Sequence, residues 1–174
     1  FRSRKNTFDR IPITPWATVA DAEKAPMDKV YVPTEMVLNV PFQDGIVKYK
    51  LKSESEIFDS GIEELDNDHV VISGRSGSGK TIFLYKVACD WSKERKDALL
   101  AEKRFVCLVP AGHLIQTGNL GQAVVEYMLP SQPKTLASSI NEYCSSHPSD
   151  VALLIDGCTC KQDIDAVMGI LEDQ

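Results

Sequence analysis

The sequence predicts an α/β fold with a parallel sheet and flanking helices. Three short apolar runs, at residues 69–73, 105–109 and 151–155, are rich in β-branched and aliphatic residues. Runs of this length and composition are typical of strands that are buried on both faces. Segments in which apolar residues recur at helical spacing follow these runs. Strands that alternate with helices favour a parallel sheet with right-handed crossovers.

The first run leads into a glycine-rich loop that fits the pattern G-x-x-x-x-G-K-[ST] at each fixed position. Its glycines lack a Cβ atom, so the backbone can adopt positive φ and direct N–H groups at phosphate oxygens. In this pattern Lys80 contacts the β- and γ-phosphates of a nucleotide, and the Thr81 hydroxyl binds Mg²⁺. We therefore predict a nucleotide-binding loop made of Gly74, Arg75, Ser76, Gly77, Ser78, Gly79, Lys80 and Thr81.

The segments on either side of the loop support this prediction. Residues 69–73 form the β-branched run expected of a buried strand. Phe83, Val87 and Trp91 recur at i, i+4 and i+8, as they would on one face of a helix. The order strand, loop, helix aims a helix N-terminus at an anion. The alternative is a Gly/Ser-rich surface turn that contains a lysine, which leaves both flanks unexplained.

An acidic residue at the end of the third run is the predicted magnesium partner. Asp156 directly follows residues 151–155, and ligands of open α/β sheets bind at the C-terminal edge of the strands. An apolar run that ends in Asp is a weak signal alone. The run at 105–109, however, leaves room for two crossovers between Lys80 and Asp156. We predict that Thr81 and Asp156 hold Mg²⁺ through the nucleotide.

The part of the chain before the loop has a different character. Residues 1–60 hold five of the nine prolines and are predicted to be an extended or linker region, ahead of a nucleotide-binding domain at 61–174. Residues 37–40 and 46–51 are expected to form a hairpin, because both are short β-type runs around a turn signal. Residues 53–65 have the apolar spacing of a helix.

After the loop helix, periodicity and helix breakers predict the remaining elements. The charged stretch that follows Trp91 is expected to be a solvated connection. Helices are expected at 120–128, where prolines at 130 and 133 end the helix, at 136–143 and at 164–171.

Composition excludes several other classes of protein. With a formal net charge of −6, the chain lacks the electrostatic footprint of a nucleic-acid-binding domain. No apolar run approaches the roughly 18 residues of a membrane-spanning helix. The five cysteines and three histidines show no zinc spacing. Cys89 and Cys107 fall within apolar segments and are predicted core residues, whereas Cys158 and Cys160 form only a C-x-C pair.

Four stretches of the sequence are similar to one known family. They are residues 67–74 ahead of the loop, the helix that ends in Asp90 and Trp91, residues 105–110 with Leu114, and residues 153–157. In these stretches the chain resembles the NACHT branch of signal-transduction ATPases, the nucleotide-switch module of NOD-like innate immune receptors. The resemblance implies a P-loop NTPase fold, ATP and Mg²⁺ as ligands, a cytoplasmic location and self-association of the full-length protein.

The resemblance has three further implications. Residues 31–34 are the candidate lid over the adenine. A strand that lies between the first and third runs in this family is missing, so the sequence is expected to be a fragment, incomplete at its C-terminus and poorly stable alone. ATP is favoured over GTP, since no Asn-Lys-x-Asp motif for guanine occurs in the sequence.

One departure from the family pattern bears on hydrolysis. The family usually continues Asp-Gly-Leu-Asp-Glu, whereas this chain has Thr159 and Cys160 at the last two positions. A hydroxyl or thiol does not replace a carboxylate as a base at neutral pH. The sequence therefore favours an ATP-binding switch with weak or absent hydrolysis and unassigned catalytic residues. An active NTP hydrolase or phosphotransferase, and a degenerate fragment that acts only as an interaction module, stay open as alternatives.

Overall fold

The computed structural model describes residues 10–12, 24–42, 45–57 and 69–173. These residues fall into two compact units, one running to Phe83 and the other starting at Leu84. The division lies inside a single helix, α2, which spans Lys80–Ser92. The domain boundary predicted near residue 60 lies outside the described residues.

The first unit contains short strands and turns ahead of the phosphate loop. Its elements are β1 (Arg10–Pro12), β2 (Lys24–Pro26), α1 (Met27–Val30), β3 (Val37–Phe42), β4 (Gly45–Lys50) and a 3₁₀ turn (Glu54–Ile57). β1 and β2 form one antiparallel pair, and β3 and β4 form another. Among the side chains of these elements that the structure describes, Met27, Val40 and Ile57 are buried and apolar.

The predicted hairpin is confirmed. β3 and β4 pair in register from Val37 opposite Lys50 to Phe42 opposite Gly45. The turn at residues 43–44 lies outside the described residues. So does most of the helix predicted at 53–65, of which the structure describes only the 3₁₀ turn.

The strand predicted at residues 69–73 is wrong. This segment has no regular secondary structure, and Val71 is 68% exposed to solvent. High β-propensity describes side chains that fit a pleated, half-buried surface, but a strand also needs a neighbour for its N–H and C=O groups. No strand in the described part of the chain pairs with residues 69–73. The approach to the phosphate loop is therefore irregular.

The second unit contains a parallel pair of strands with helices around it. Its elements after α2 are β5 (Phe105–Pro110), α3 (Ala111–Thr117), α4 (Leu120–Met128), α5 (Leu136–Ser146), a 3₁₀ turn (Pro148–Asp150), β6 (Val151–Asp156) and α6 (Lys161–Glu172). β5 and β6 are parallel, from Phe105 opposite Val151 to Pro110 opposite Asp156. The predicted parallel α/β architecture is confirmed.

The core of this unit is built around β5. Four consecutive residues of the strand, Val106 to Val109, are at most 2% exposed, as expected of a strand covered on both faces. α4 adds the largest helical share to the core, while α5 and α6 contribute Ile140 and Val167. Cys107 and Cys89 are both buried, which confirms the prediction that they are core residues. Helix α3 is an addition to the predicted elements, and it ends at Gly118 in the left-handed conformation (φ 61°).

Helices α4 and α5 approach each other closely at one glycine. A Cβ atom at Gly121 would lie 2.1 Å from the carbonyl oxygen of Ala137, a distance that no real contact permits. The Gly121 N–H group donates a hydrogen bond of 2.6 Å to Oδ1 of Asn141. The absence of a side chain at Gly121 therefore sets the spacing of the two helices.

The Asp-Trp pair at the end of α2 has a structural role. The Trp91 indole is buried, and its Nε1–H donates to the carbonyl oxygen of Lys103 at 2.7 Å. Asp90 forms ion pairs with Lys86 and with Arg95, the latter at 3.4 Å. The connection after Trp91 is thus fixed to the helix, which corrects the prediction of a merely solvated link. In the described part of the chain, no helix combines the length and the apolar character needed to cross a bilayer.

Candidate functional site

The backbone of the phosphate loop takes conformations that only glycine adopts without strain. Gly77 has φ 77° and Gly79 has φ 91°, both in the left-handed region. An L-residue at either position would be strained whatever space surrounds it. Gly79, a fixed glycine of the sequence motif, and Gly77, at one of its variable positions, therefore stand where the backbone requires glycine.

Gly74 serves the loop differently, through its lack of volume. Its φ is not positive, but a Cβ atom there would lie 2.9 Å from Oγ of Ser78. The loop closes on itself through a hydrogen bond of 3.2 Å from the Ser78 N–H group to the Arg75 carbonyl oxygen. The small residue at position 74 thus lets the two ends of the loop come together.

The Lys80 side chain turns back over the loop. Its Nζ donates to the carbonyl oxygens of Gly74 at 2.7 Å and of Arg75 at 3.0 Å. These bonds hold the ammonium at the loop, beside the backbone that the motif assigns to phosphate binding. Helix α2 begins at this residue, and the Phe83 N–H group bonds to the Gly79 carbonyl oxygen at 2.8 Å. Helix N-termini favour anions because their first N–H groups have no partner within the helix.

The candidate lid comes near the loop at one point. Residues 31–34 are irregular, and Oγ1 of Thr34 lies 3.5 Å from the position that a Cβ atom on Gly79 would occupy. The Tyr31 N–H group bonds to the Met27 carbonyl oxygen, and the Tyr31 hydroxyl bonds to the Glu54 carboxylate. The segment is therefore anchored at its start and lies near the phosphate loop at its end.

Asp156 belongs to the second unit, at the C-terminal end of β6. It is half-buried, it stands in register with Pro110 of β5, and Gly157 turns the chain immediately after it with φ 87°. This is the edge at which parallel α/β sheets bind ligands. The structure thus places Asp156 at the strand terminus that the sequence predicts.

A carboxylate that the sequence interpretation overlooks occupies the turn after Asp156. Oδ2 of Asp163 accepts hydrogen bonds from the Thr159 hydroxyl and N–H group, both at 2.7 Å, and from the Cys160 N–H group at 3.3 Å. These bonds lower the pKa of Asp163, and the bond from the Thr159 hydroxyl has the largest effect. Cys160 is the N-cap of α6 and Asp163 is its third residue, which is the capping-box arrangement. An acidic residue three positions after an N-cap is the sequence signal for this role.

The thiol closest in sequence to Asp156 is not activated. Burial raises the pKa of Cys158, and the nearby carboxylates of Asp163 and Asp156 raise it further. A thiol of raised pKa is neutral at pH 7 and is a weak base and nucleophile. Nothing in this turn therefore replaces the two carboxylates that the sequence pattern lacks.

The phosphate loop of the first unit fits the phosphate groups of a nucleotide. The loop offers a turn shaped by glycines, an ammonium and the start of a helix, all of which suit phosphate groups. Thr81 and Asp156 offer a hydroxyl and a carboxylate, the hard oxygen ligands that Mg²⁺ prefers.

A parallel α/β unit and a phosphate-binding loop define the class of protein, a P-loop nucleotide-binding protein. The family can also be stated: residues 68–168, more than half of the chain, match the NACHT domain, and the chain belongs to that family. No curated protein and no solved structure matches it. A NACHT domain is a P-loop NTPase domain, so the chain is a nucleotide-binding module.

Proposed function

We propose that this chain is an ATP-binding switch module, in which the bound nucleotide controls the assembly of a signalling protein. The observation that carries the proposal is the phosphate loop: Gly77 and Gly79 in left-handed conformations lead directly into α2, with Lys80 as its first residue. Membership of the NACHT family supports the same interpretation.

Each proposed site residue has a physical role. The loop, residues 74–81, binds the phosphates through its N–H groups, and Lys80 adds a positive charge at the β- and γ-phosphates. Thr81 and Asp156 are proposed as the protein partners of Mg²⁺. The Thr81 hydroxyl would bind the ion directly, and the Asp156 carboxylate would lie in the coordination sphere of the ion or just outside it. When bound, Mg²⁺ neutralises charge on the phosphate oxygens.

The segment at residues 31–34 is the proposed lid over the base. The proximity of Thr34 to Gly79 supports that role, because a lid must come close to the phosphates to cover a nucleotide. We propose adenine as the base, on the basis of the family and of the absence of a guanine motif.

The chemistry of the turn after Asp156 is a reason to expect weak hydrolysis. Among the described residues, the only carboxylate hydrogen-bonded to Thr159 is that of Asp163. This carboxylate is a poor base, because it already accepts three hydrogen bonds and its pKa is lowered. An active hydrolase would need a base from elsewhere. A degenerate interaction module would not need the positive-φ glycines. We further propose that the whole protein acts in the cytoplasm, in NOD-like-receptor-type innate immune signalling, and self-associates when it is active.

A competition experiment tests the proposal. A switch must bind both of its nucleotide states, so ATP and ADP should each displace a fluorescent ATP analogue from the chain in the presence of Mg²⁺. GTP should compete at least about tenfold more weakly, since about 1.4 kcal/mol of lost base contacts is enough for that factor. Equal competition by GTP would contradict the adenine assignment. Failure of all three nucleotides to compete would leave the interaction module as the better account.

A further inference from the structure

Both ends of the candidate lid are attached to the same stretch of chain. At the start of the lid, the Tyr31 hydroxyl donates to the carboxylate of Glu54, which lies on the 3₁₀ turn after β4. Just beyond the end of the lid, the Leu51 N–H group donates to the Met36 carbonyl oxygen at 3.0 Å. The segment that comes near the phosphate loop is therefore held at two points by the residues that follow β4.

Packing does not hold the residues between these two points. Residues 32–35 are all exposed, and the Val32 side chain is 76% exposed to solvent. Pro33 fixes its own φ and favours an extended conformation at the residue before it, so this short segment is stiff. Its position is therefore set mainly by the bonds at its ends.

The turn that carries Glu54 is itself fixed in place. Oε2 of Glu56 accepts a hydrogen bond of 2.9 Å from the Lys52 N–H group, and the Glu56 N–H group donates to the Ser53 carbonyl oxygen at 3.3 Å. Ile57, the last residue of the turn, is buried. A carboxylate on a fixed turn is an effective anchor, because little conformational freedom is lost when the tyrosine hydroxyl binds to it.

The other side-chain bond beside the lid is an ordinary surface ion pair. Nζ of Lys50 lies 2.8 Å from a carboxylate oxygen of Glu35, and the two side chains are 67% and 81% exposed. Pairs that are this exposed contribute little, since water and salt screen them. The bond between Tyr31 and Glu54 is partly buried, so it is the side-chain bond that holds the lid.

We propose that Tyr31 and Glu54 form a latch that positions the lid over the base of the bound nucleotide, and that this latch sets how tightly the base, rather than the phosphates, is held. The inference rests on the proposed function, because it takes residues 31–34 as the lid over adenine. Thr34, at the far end of the lid, lies near Gly79, so the lid extends from the latch to the phosphate loop. When the latch opens, the apparent affinity falls with the fraction of molecules in which the lid is in place.

The test compares ATP with inorganic tripolyphosphate, which has the phosphates but no base. Each ligand is titrated calorimetrically with Mg²⁺ into the natural chain and into Tyr31→Phe, which loses only the hydroxyl. Affinity for ATP should fall about tenfold, a change of about 1.4 kcal/mol, which is the size expected of one side-chain hydrogen bond. Affinity for tripolyphosphate should stay the same, since the phosphate loop is unaltered. Tyr49→Phe, which alters an exposed tyrosine on β4, is the matched control and should change neither affinity.

Two changes at Glu54 test the partner in the latch. Glu54→Ala removes the acceptor and should weaken ATP binding as much as Tyr31→Phe does. Glu54→Gln keeps an oxygen that accepts a hydrogen bond and should retain most of the affinity for ATP. Because both single changes break the same bond, Tyr31→Phe combined with Glu54→Ala should bind ATP no more weakly than Glu54→Ala alone.

Three results would overturn the latch while leaving the proposed function in place. They are an unchanged ATP affinity for Tyr31→Phe, an equal loss of affinity for ATP and tripolyphosphate, and additive losses in the double variant. Failure of the natural chain to bind either ligand would instead overturn the proposed function, and the inference would fall with it.

Discussion

Steady-state phosphate release at saturating ATP and Mg²⁺ is expected to be very slow, well below the order of 1 s⁻¹ that ordinary enzymes reach. Thr159 and Cys160 stand where the family pattern has carboxylates, and the neighbouring carboxylate of Asp163 is taken up by three hydrogen bonds. A positioned general base typically contributes about 10²–10⁴-fold to a rate. Without one, bound ATP should persist, as a switch requires.

Restoring the carboxylates should raise the rate, but the structure changes how this must be done. Thr159→Asp with Cys160→Glu would set a new carboxylate against Oδ2 of Asp163, where the Thr159 hydroxyl now donates at 2.7 Å. Two carboxylates in contact repel, and one of them takes up a proton. Adding Asp163→Asn removes this conflict, because an amide oxygen still accepts from the backbone and its NH₂ group can donate to the new Asp.

The triple variant is therefore expected to release phosphate about 10²-fold faster than the natural chain, the lower end of the range for a general base. Asp163→Asn alone is the control and should leave the rate as low as before. A natural chain that already turns over at about 1 s⁻¹ or faster would show that another residue supplies the base. The hydrolase alternative would then replace the switch.

Gly121→Ala is expected to destabilise the second unit strongly. The added methyl would overlap the Ala137 carbonyl oxygen at 2.1 Å and Oδ1 of Asn141 at 2.5 Å, and the first of these is backbone, which a rotamer change cannot move. Separating α4 from α5 would also break the hydrogen bond from the Gly121 N–H group. Overpacking typically costs about 1–3 kcal/mol, occasionally more, and the lost bond about 1 kcal/mol, while alanine returns about 1 kcal/mol of helix propensity. The net loss in unfolding free energy should be on the order of 1–3 kcal/mol.

Gly169→Ala provides the matched control in the same unit. Gly169 lies within α6, and a Cβ atom there meets no other atom within 4 Å. Only helix propensity should act at this position, so the variant should gain about 0.5–1 kcal/mol. Urea unfolding of both variants measures the difference. Equal stability of Gly121→Ala and the natural chain would mean that the close approach of α4 and α5 is not a constraint.

Sequence periodicity predicts most of the helices and the parallel pair because their apolar residues fall on one buried face. Helix α2 is the clearest case, with Phe83, Val87 and Trp91 all buried. The strand predicted at residues 69–73 fails for a different reason. Its composition is right, but strand formation depends on a neighbour, and composition says nothing about which segment is adjacent.

The site shows the same division between local and long-range information. The glycine loop is predictable because a short motif marks it, and positive φ occurs at Gly79, a fixed position of that motif, and also at Gly77, a variable position. The bond between Tyr31 and Glu54 is not predictable, since it depends on how the lid lies against the turn after β4. The role of Asp163 is only partly predictable from the sequence. Its spacing from Cys160 is that of a capping box, but cysteine is an unusual N-cap residue, so the signal is easily missed.

The central claim is that the loop at residues 74–81 binds the phosphates of ATP, and calorimetric titration with ATP and Mg²⁺ tests it most directly. The natural chain should bind with a measurable heat. Lys80→Ala should lower the affinity at least about a hundredfold, because charged hydrogen bonds to two phosphate groups are lost at about 1.5–3 kcal/mol each. Lys96→Ala, which removes an exposed lysine outside the loop, should bind like the natural chain. Equal affinities of the Lys80→Ala variant and the natural chain would contradict the phosphate-loop assignment and with it the proposed switch.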